Sequence, residues 1–449
     1  MSTALRLPRV LGLFDVSVLA SAAMGPAYSL AVTMGPMIAA AGSNATIALV
    51  LLGAVMSCVA IAFARLSEVL PNAGSSFSWV ASAFGQRAGA YAAWLLLLSN
   101  YFATMTTALP AATYTLALFA PQLATSPLWD ALIGAIWIAL STALLYAGLR
   151  PTAFTTAVFL LAELAVVGAS AVAACFAHPA PEHLAPPALP NPFVGIATAM
   201  VLGIWMTDGW EVSASASEET TGGADTPGRG GLVGLLLTTA LLVAAMLAYG
   251  RVGSVAGFAA HQADAMDYVA DRLGGAVWHV TIVATVLVST AATLWTTMLY
   301  LSRSAYAMGR DGVLPAPLGR LDVRGVPANS LYAVFACTAA FTLITGFWPT
   351  AASVLNLVLN GTSVFLGALF AMSAIAAIKL LGKRDDADRL RSVVIPAIGA
   401  ATLCAIIAVD VAQSDGTTRA IEIGGLLLGF PFALWRGRVS SRSALLASE

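Results

Sequence analysis

Residues 22–28 read Ala22-Ala23-Met24-Gly25-Pro26-Ala27-Tyr28, and residues 204–211 read Ile204-Trp205-Met206-Thr207-Asp208-Gly209-Trp210-Glu211. Each stretch lies inside an apolar run, 12–37 and 193–217, that is otherwise long enough for a membrane-crossing helix. Pro26 has no N–H to donate and its ring clashes with the preceding turn, while Gly25 and Gly209 make it easier to leave helical geometry. Two helices, each unwound partway along, are the expectation. Freed amides at the start of a half-helix attract an anion such as a carboxylate, and freed carbonyls at its end attract an ammonium group or a cation.

Outward from these stretches the chain remains apolar. Residues 46–64 and 330–378 contain no charge, and 152–176 is broken only by Glu163. Of 449 residues, 59% are hydrophobic and 10% charged, against roughly 25% charged in a soluble domain. In lipid every backbone polar group needs an internal partner, so the runs should be helices. Spans are expected at 12–37, 45–64, 88–120, 128–148, 152–176, 193–217, 231–250, 276–303, 328–347, 350–378, 392–410 and 420–436. With the N-terminus inside, all of the 21 Lys and Arg residues except Arg251, Arg272 and Arg419 fall on the cytoplasmic side, as the positive-inside rule requires. Both termini are then cytoplasmic in a multi-pass protein of the plasma (inner) membrane. No cleavable signal peptide is expected, and the net charge of -1 gives no reason to expect nucleic acid as a partner.

Some segments are read less simply. Residues 88–129 carry no charge and fit one long helix or two short ones, with a turn at Pro121, Ser126 and Pro127. The proline-rich stretch 178–192 reads as an external linker between two halves. Residues 258–275, with Asp264, Asp267, Asp271 and Arg272, read as a helix lying at the surface. Cys58, Cys175, Cys337 and Cys404 have no metal-type spacing and read as small buried apolar side chains. His178, His183, His261 and His279 likewise lack metal-partner spacing, and neither metal nor cofactor is expected.

Paired interruptions at corresponding positions in two halves point to a transporter site at an inverted repeat. An enzyme is not expected, because the chain has no G-x-S-x-G, no H-E-x-x-H and no phosphate-binding loop.

Four segments together resemble the amino acid, polyamine and organocation permease family, over about 12–379. Met24-Gly25-Pro26-Ala27 occupies the place of the family's unwound Gly-rich element. Residues 65–79, Arg65-Leu66-Ser67-Glu68-Val69-Leu70-Pro71-Asn72-Ala73-Gly74-Ser75-Ser76-Phe77-Ser78-Trp79, are similar to its Glu-Leu, Pro, Gly and aromatic pattern. Trp205 to Thr220, followed by Pro227-Gly228-Arg229, and Ala307-Met308-Gly309-Arg310-Asp311-Gly312-Val313-Leu314-Pro315 complete it. The resemblance implies an all-α integral membrane fold of twelve transmembrane helices. These would form a five-plus-five inverted repeat, the leucine-transporter-like fold, with broken first and sixth helices. Residues 1–449 then form one transporter domain: repeats at 12–176 and 193–378, and two peripheral helices at 392–436. The implied function is secondary active transport of an amino acid or related small amine by alternating access, coupled to protons. A polyamine or cationic amino acid exchanger and a non-transporting nutrient receptor on the same fold are the alternatives.

Met24, Gly25, Pro26, Ala27, Trp205, Asp208 and Gly209 are the expected substrate-binding residues, with Trp205 offering a face for a cation. Ala27 is expected to expose its amide, although Pro26 and Ala27 depart from the Gly-rich triplet. Glu211 aligns with a family glutamate of gating or coupling role. Glu163 stands where the resemblance implies a lysine that replaces sodium, so a lysine mechanism does not transfer; a carboxylate at that depth is a credible proton carrier. Within the spans, Glu163, Asp208 and Glu211 have no basic counterpart, which disfavours a dicarboxylate. Ser289 and Thr293 are candidates for sodium ligation or for packing. Asp15 is read as a helix-terminus residue, and Glu68, Glu218 and Glu219 as members of an inner gate with Arg65 or Arg229.

Overall fold

The computed structural model describes residues 7–124, 126–178, 191–262, 264–347, 351–382 and 388–446. Among these every extended element is helical, and the one strand-like contact is an isolated parallel bridge between Leu11 and Thr220. The first expected span is two helices, α1 (Leu13–Met24) and α2 (Pro26–Ala41), and α3 (Ala45–Val69) is the second. A short α4 (Ser75–Phe84) leads into α5 (Gln86–Phe119), α6 (Pro127–Ala147) and α7 (Leu149–Phe176). After the linker come α8 (Pro192–Met206), the single turn α9 (Val212–Ser215) and α10 (Thr226–Val252). Then follow α11 (Val255–Ala260), α12 (Ala265–Leu273), α13 (Ala276–Arg310), α14 (Ala328–Thr345), α15 (Ala351–Leu381), α16 (Ile395–Gln413) and α17 (Gly416–Leu446).

Among the described residues nine helical segments are long and apolar enough to cross a membrane, so this is a multi-pass membrane protein. One of the nine, Leu13–Val69, holds both of the first two expected spans, and Pro192–Met206 is a shorter apolar helix. The linker expected at 178–192 falls mostly on 179–190, and His183 with it, outside the described residues. The same holds for Arg6, Lys383 and Arg384 of the cytoplasmic set.

Local chemistry explains the interruptions. Gly25 adopts φ 52° and ψ 70°, a left-handed conformation that glycine enters without a Cβ penalty, and its N–H donates to Ala22 O. Pro26 is then the first residue of α2, where its missing donor is no loss. In α8 the chain leaves the helix at Thr207, and Gly209 takes φ 98°.

The ambiguous stretch 88–129 is one helix of 34 residues, α5, closed by a 3-10 turn at Pro121–Leu123. Pro110 sits inside it and removes the donor that would have bonded Thr106 O. That carbonyl instead accepts the Tyr28 hydroxyl at 2.6 Å. A proline that would weaken an isolated helix thus ties α5 to α2.

Asp15 accepts from Gly12 N at the start of α1, as a helix-terminus residue does. The acidic surface segment forms α12, whose apolar face packs over α2 and α13. The cysteines correct the sequence reading: Cys175, Cys337 and Cys404 are exposed and Cys58 is partly so. Outward-facing positions on these helices are apolar, as at Phe119, Phe154 and Phe176, because lipid rather than protein covers them.

The arginine-bearing face is closed by polar contacts. Val10 and Leu11 N–H groups donate to Glu219 O, and Thr221 N–H to Leu11 O. Arg303 grips the Glu219 carboxylate with two bonds at 3.1 and 3.2 Å, both side chains at most 2% exposed. Glu218 takes Arg310 and the Ala73 amide. Of the pairs expected with Arg65 or Arg229, Arg65–Glu68 is present, whereas Glu218 and Glu219 take arginines of α13, which runs on to Arg310 and lays them across the 217–219 turn. Arg229 pairs instead with Asp225.

Candidate functional site

The two interruptions meet at the centre of the bundle. A Cβ built on Gly209 would lie 2.6 Å from the carbonyl carbon of Ala23 and 2.7 Å from its oxygen, so the two broken helices touch backbone to backbone. Beside this contact lies a tight cavity of about 20 Å³, room for about one water molecule. Its walls are the end of α1 and start of α2 (Met24, Tyr28), the second break (Trp205, Asp208, Gly209, Glu211), α5 (Asn100, Ala103) and α13 (Thr293, Thr296, Tyr300).

Of the residues singled out in the sequence, Met24, Trp205, Asp208, Gly209 and Glu211 line this cavity. Gly25, Pro26, Ala27 and Glu163 do not; they form a second layer behind it. There the Glu163 carboxylate, fully buried, accepts the Ala27 amide at 3.0 Å and the Ser289 hydroxyl at 2.8 Å through Oε1. Ser289 Oγ in turn accepts the Tyr28 amide at 3.0 Å. The expectation that Ala27 exposes its amide is thus corrected: Pro26 has no N–H, and the next two amides of α2 face α7 and α13. The positive end of α2 holds a carboxylate of the chain itself, the arrangement that helix dipoles and free amides favour.

Glu163 Oε2 has no hydrogen-bond partner among the described residues. Thr293 donates to Ala22 O at 3.1 Å, closing the last turn of α1 against α13. A Cβ on Gly25 would overlap the Thr293 hydroxyl, so glycine is required there by packing as well as by its positive φ.

The second break presents its acids differently. Glu211 is 2% exposed and accepts the Gly209 amide through Oε2 at 2.8 Å, which folds the loop back on itself. Asp208 lines the same cavity, with Glu211 as its acidic neighbour. Trp205 stands edge-on to Tyr28, ring centres 6.4 Å apart, and its indole N–H meets no acceptor in good geometry among the described residues. Trp210 turns the other way, into a cluster with Phe63 and Phe370. Among the described residues the cavity lining carries no lysine, arginine or histidine.

Sequence reasoning missed Tyr28, Asn100, Thr296 and Tyr300. A signal existed for α13: Ser289, Thr293, Thr296 and Tyr300 recur at helical spacing, a polar stripe on an otherwise apolar span. Asn100 carried the same kind of signal, since Thr104 and Thr107 follow it at helical spacing in an uncharged run.

A family model described as amino acid permease matches residues 11–419. The chain is 25% identical over 345 residues to the branched-chain amino acid permease BcaP of Lactococcus lactis subsp. cremoris (strain MG1363), covering 72% of each. It is 25% identical over 352 residues to the uncharacterized amino acid permease YecA of Bacillus subtilis (strain 168), covering 77% of each. To the branched-chain amino acid permease BcaP of the same Bacillus strain it is 26% identical over 332 residues, covering 70% of each.

Proposed function

The chain belongs to the amino acid permease family, a family of membrane transport proteins rather than enzymes, and on that premise we propose that it moves an amino acid or related small amine by alternating access. The observation that carries this reading is the meeting of both helix interruptions around one cavity, with Met24 and Tyr28 on one side and Trp205 and Asp208 on the other. In this reading 12–176 and 193–378 are the two inverted repeats, 392–436 are peripheral, and the protein lies in the plasma membrane with both termini inside. The arginine-bearing face is then cytoplasmic, and the Glu219–Arg303 pair forms part of its gate.

Proton coupling is assigned to Glu163. Its carboxylate joins three helices, since it lies on α7 and holds an amide of α2 and a hydroxyl of α13. A charged acceptor binds such donors roughly twice as strongly as a neutral one. Protonation therefore loosens the start of α2 from α7, and the broken helix is freed to move with the proton. Glu211 is the second group in this role, since it shapes the loop that carries Asp208.

The test is uptake of labelled amino acids and amines into proteoliposomes with and without an inward proton gradient. Glu163→Gln should lower gradient-driven accumulation at least about tenfold while leaving exchange of cargo across the membrane within about twofold. Equal loss of both activities would make Glu163 a structural group only. Uptake that ignores the gradient but requires amine inside the vesicle would favour the exchanger reading, to which the acids Asp208 and Glu211 already lend support.

A further inference from the structure

The last two helices carry two buried acids that the transport reading does not use. Asp410, in the last turn of α16, is 5% exposed, and Glu422, in the second turn of α17, is fully buried. We propose that these two carboxyl groups share one proton taken from the face opposite the arginines, and that this second proton site, separate from Glu163, makes transport respond to pH on that side.

The hydrogen bonds of the pair leave a place for the proton. Ser414 Oγ lies 3.0 Å from Asp410 O and 3.3 Å from Glu422 Oε1, so one hydroxyl hydrogen is divided between two acceptors. Glu422 Oε2 has no hydrogen-bond partner among the described residues. An ionised carboxylate buried with so little to hold it is strongly disfavoured, and a second acid beside it makes two charges harder still. The main acidic neighbour of Glu422 is Asp410, with Asp415 a lesser one.

No cation is free to balance them. Arg419 acts on Glu422 least of the charged groups around it, because its guanidinium is turned to the carbonyls of Val411, Ala412 and Ser414 at 2.9, 2.8 and 2.6 Å. The helices packed on α16 and α17 add no charge at this level. α8 and residues 351–378 of α15 have none, and Arg65 and Glu68 of α3 and Arg87 of α5 lie at the arginine-bearing end. The titratable groups those helices do turn toward the pair of helices are Tyr91, bonded to Leu426 O, and Cys58, against Gly399, neither of them at the acids. A metal ion would need a cage of oxygens. Arg419 already holds the spare carbonyls of α16, and among the described residues no group of three or more His, Cys, Asp or Glu could take a metal.

The pair also has a route to water and to the centre of the protein. Thr198 of α8 reaches the Asp410 carboxylate and lines a cavity of about 390 Å³ between α2, α8, α15 and Gln262. Thr33 in the same wall has a buried hydroxyl without a partner among the described residues, a further anchor for water. With the proton on, a charge-assisted hydrogen bond between the two carboxyl groups joins α16 to α17. With it off, like charges push the helices apart, and Thr198 passes the strain to α8, one of the two broken helices. The effect on transport rests on the transport reading above; the proton site does not.

The experiment has two readouts on the full-length protein. Infrared spectra in lipid bilayers at neutral pH detect protonated carboxyl groups by their carbonyl band. In parallel, exchange of the amino acid that the uptake panel selects is followed in oriented proteoliposomes while the pH on the side opposite the arginines alone is varied. Glu422→Gln should remove one protonated carboxyl from the spectrum and flatten the pH response of exchange to within about twofold, over a range where the wild type changes at least about fivefold. Should Glu422→Gln fail to fold, the double variant Asp410→Asn/Glu422→Gln, which buries no charge at the pair, carries the same comparison. An unchanged carboxyl band or an unchanged pH response overturns the inference. Absence of any exchange by the wild type would overturn the transport reading instead, and the spectrum would still decide whether the pair holds a proton.

Discussion

Gly209→Ala probes the contact on which the site is built. The residue sits at φ 98°, outside the regions open to a side chain, and a Cβ there would lie 2.6 Å from the backbone carbon of Ala23. Strain at such a φ costs about 1–3 kcal/mol. Ordinary carbon contacts begin near 3.5 Å, so the two broken helices must also separate by roughly 1 Å, and overpacking of this kind adds about 1–3 kcal/mol. Backbone cannot swing aside as the end of a side chain can. The sum is about 2–6 kcal/mol of lost stability, together with a widened cavity and weakened cargo binding. The control is Gly168→Ala in α7, where an added Cβ meets nothing within 4 Å and φ is ordinary; helix propensity there favours alanine by up to about 1 kcal/mol. Unfolding in mixed micelles by a denaturing detergent, with cargo binding measured in parallel, compares the two. If Gly209→Ala behaves like Gly168→Ala in both assays, the two breaks do not touch as described.

Two further substitutions test the supports of the site. Arg303→Met leaves Glu219 buried without its partner and should destabilise by about 3–5 kcal/mol, while adding Glu219→Gln recovers most of that; the same unfolding assay reads both, and no recovery in the double variant would mean that the pair contributes little. Tyr28→Phe strands the Thr106 carbonyl that Pro110 leaves free and should cost about 1–3 kcal/mol. Pro110→Ala returns an amide to that carbonyl, so Tyr28→Phe made in that background should cost measurably less, and an unchanged cost would dissociate the hydroxyl from the proline.

Much of the fold was legible because lipid imposes a coarse rule that long apolar runs become helices, and Gly25, Pro26 and Gly209 mark where two of them break. Helix boundaries followed the apolar runs closely, as with α6 at 127–147 against an expected 128–148. What was not legible was direction. The sequence places Ala27 at a freed helix start but cannot say which way its N–H turns; that depends on Glu163, 136 positions along the chain, reaching it from α7. Exposure of the cysteines failed for a related reason, since an apolar residue fits the lipid face and the protein interior equally well. The partners of Glu218 and Glu219 were not legible because Arg303 and Arg310 lie beyond the expected end of their span or at it, and only the full length of α13 shows them reaching these acids. Tyr28 was quoted in the decisive motif and still passed over, because its role depends on a proline in another helix.

The most direct measurement of the central claim is a cryo-EM reconstruction in a lipid nanodisc with the best-transported compound of the uptake panel at saturation. Cargo density is predicted between Met24 and Tyr28 on one side and Trp205, Asp208 and Gly209 on the other, with its ammonium end toward Asp208 and both helices unwound beside it. Density elsewhere, or either helix running unbroken through Gly25 or Gly209, would contradict the account.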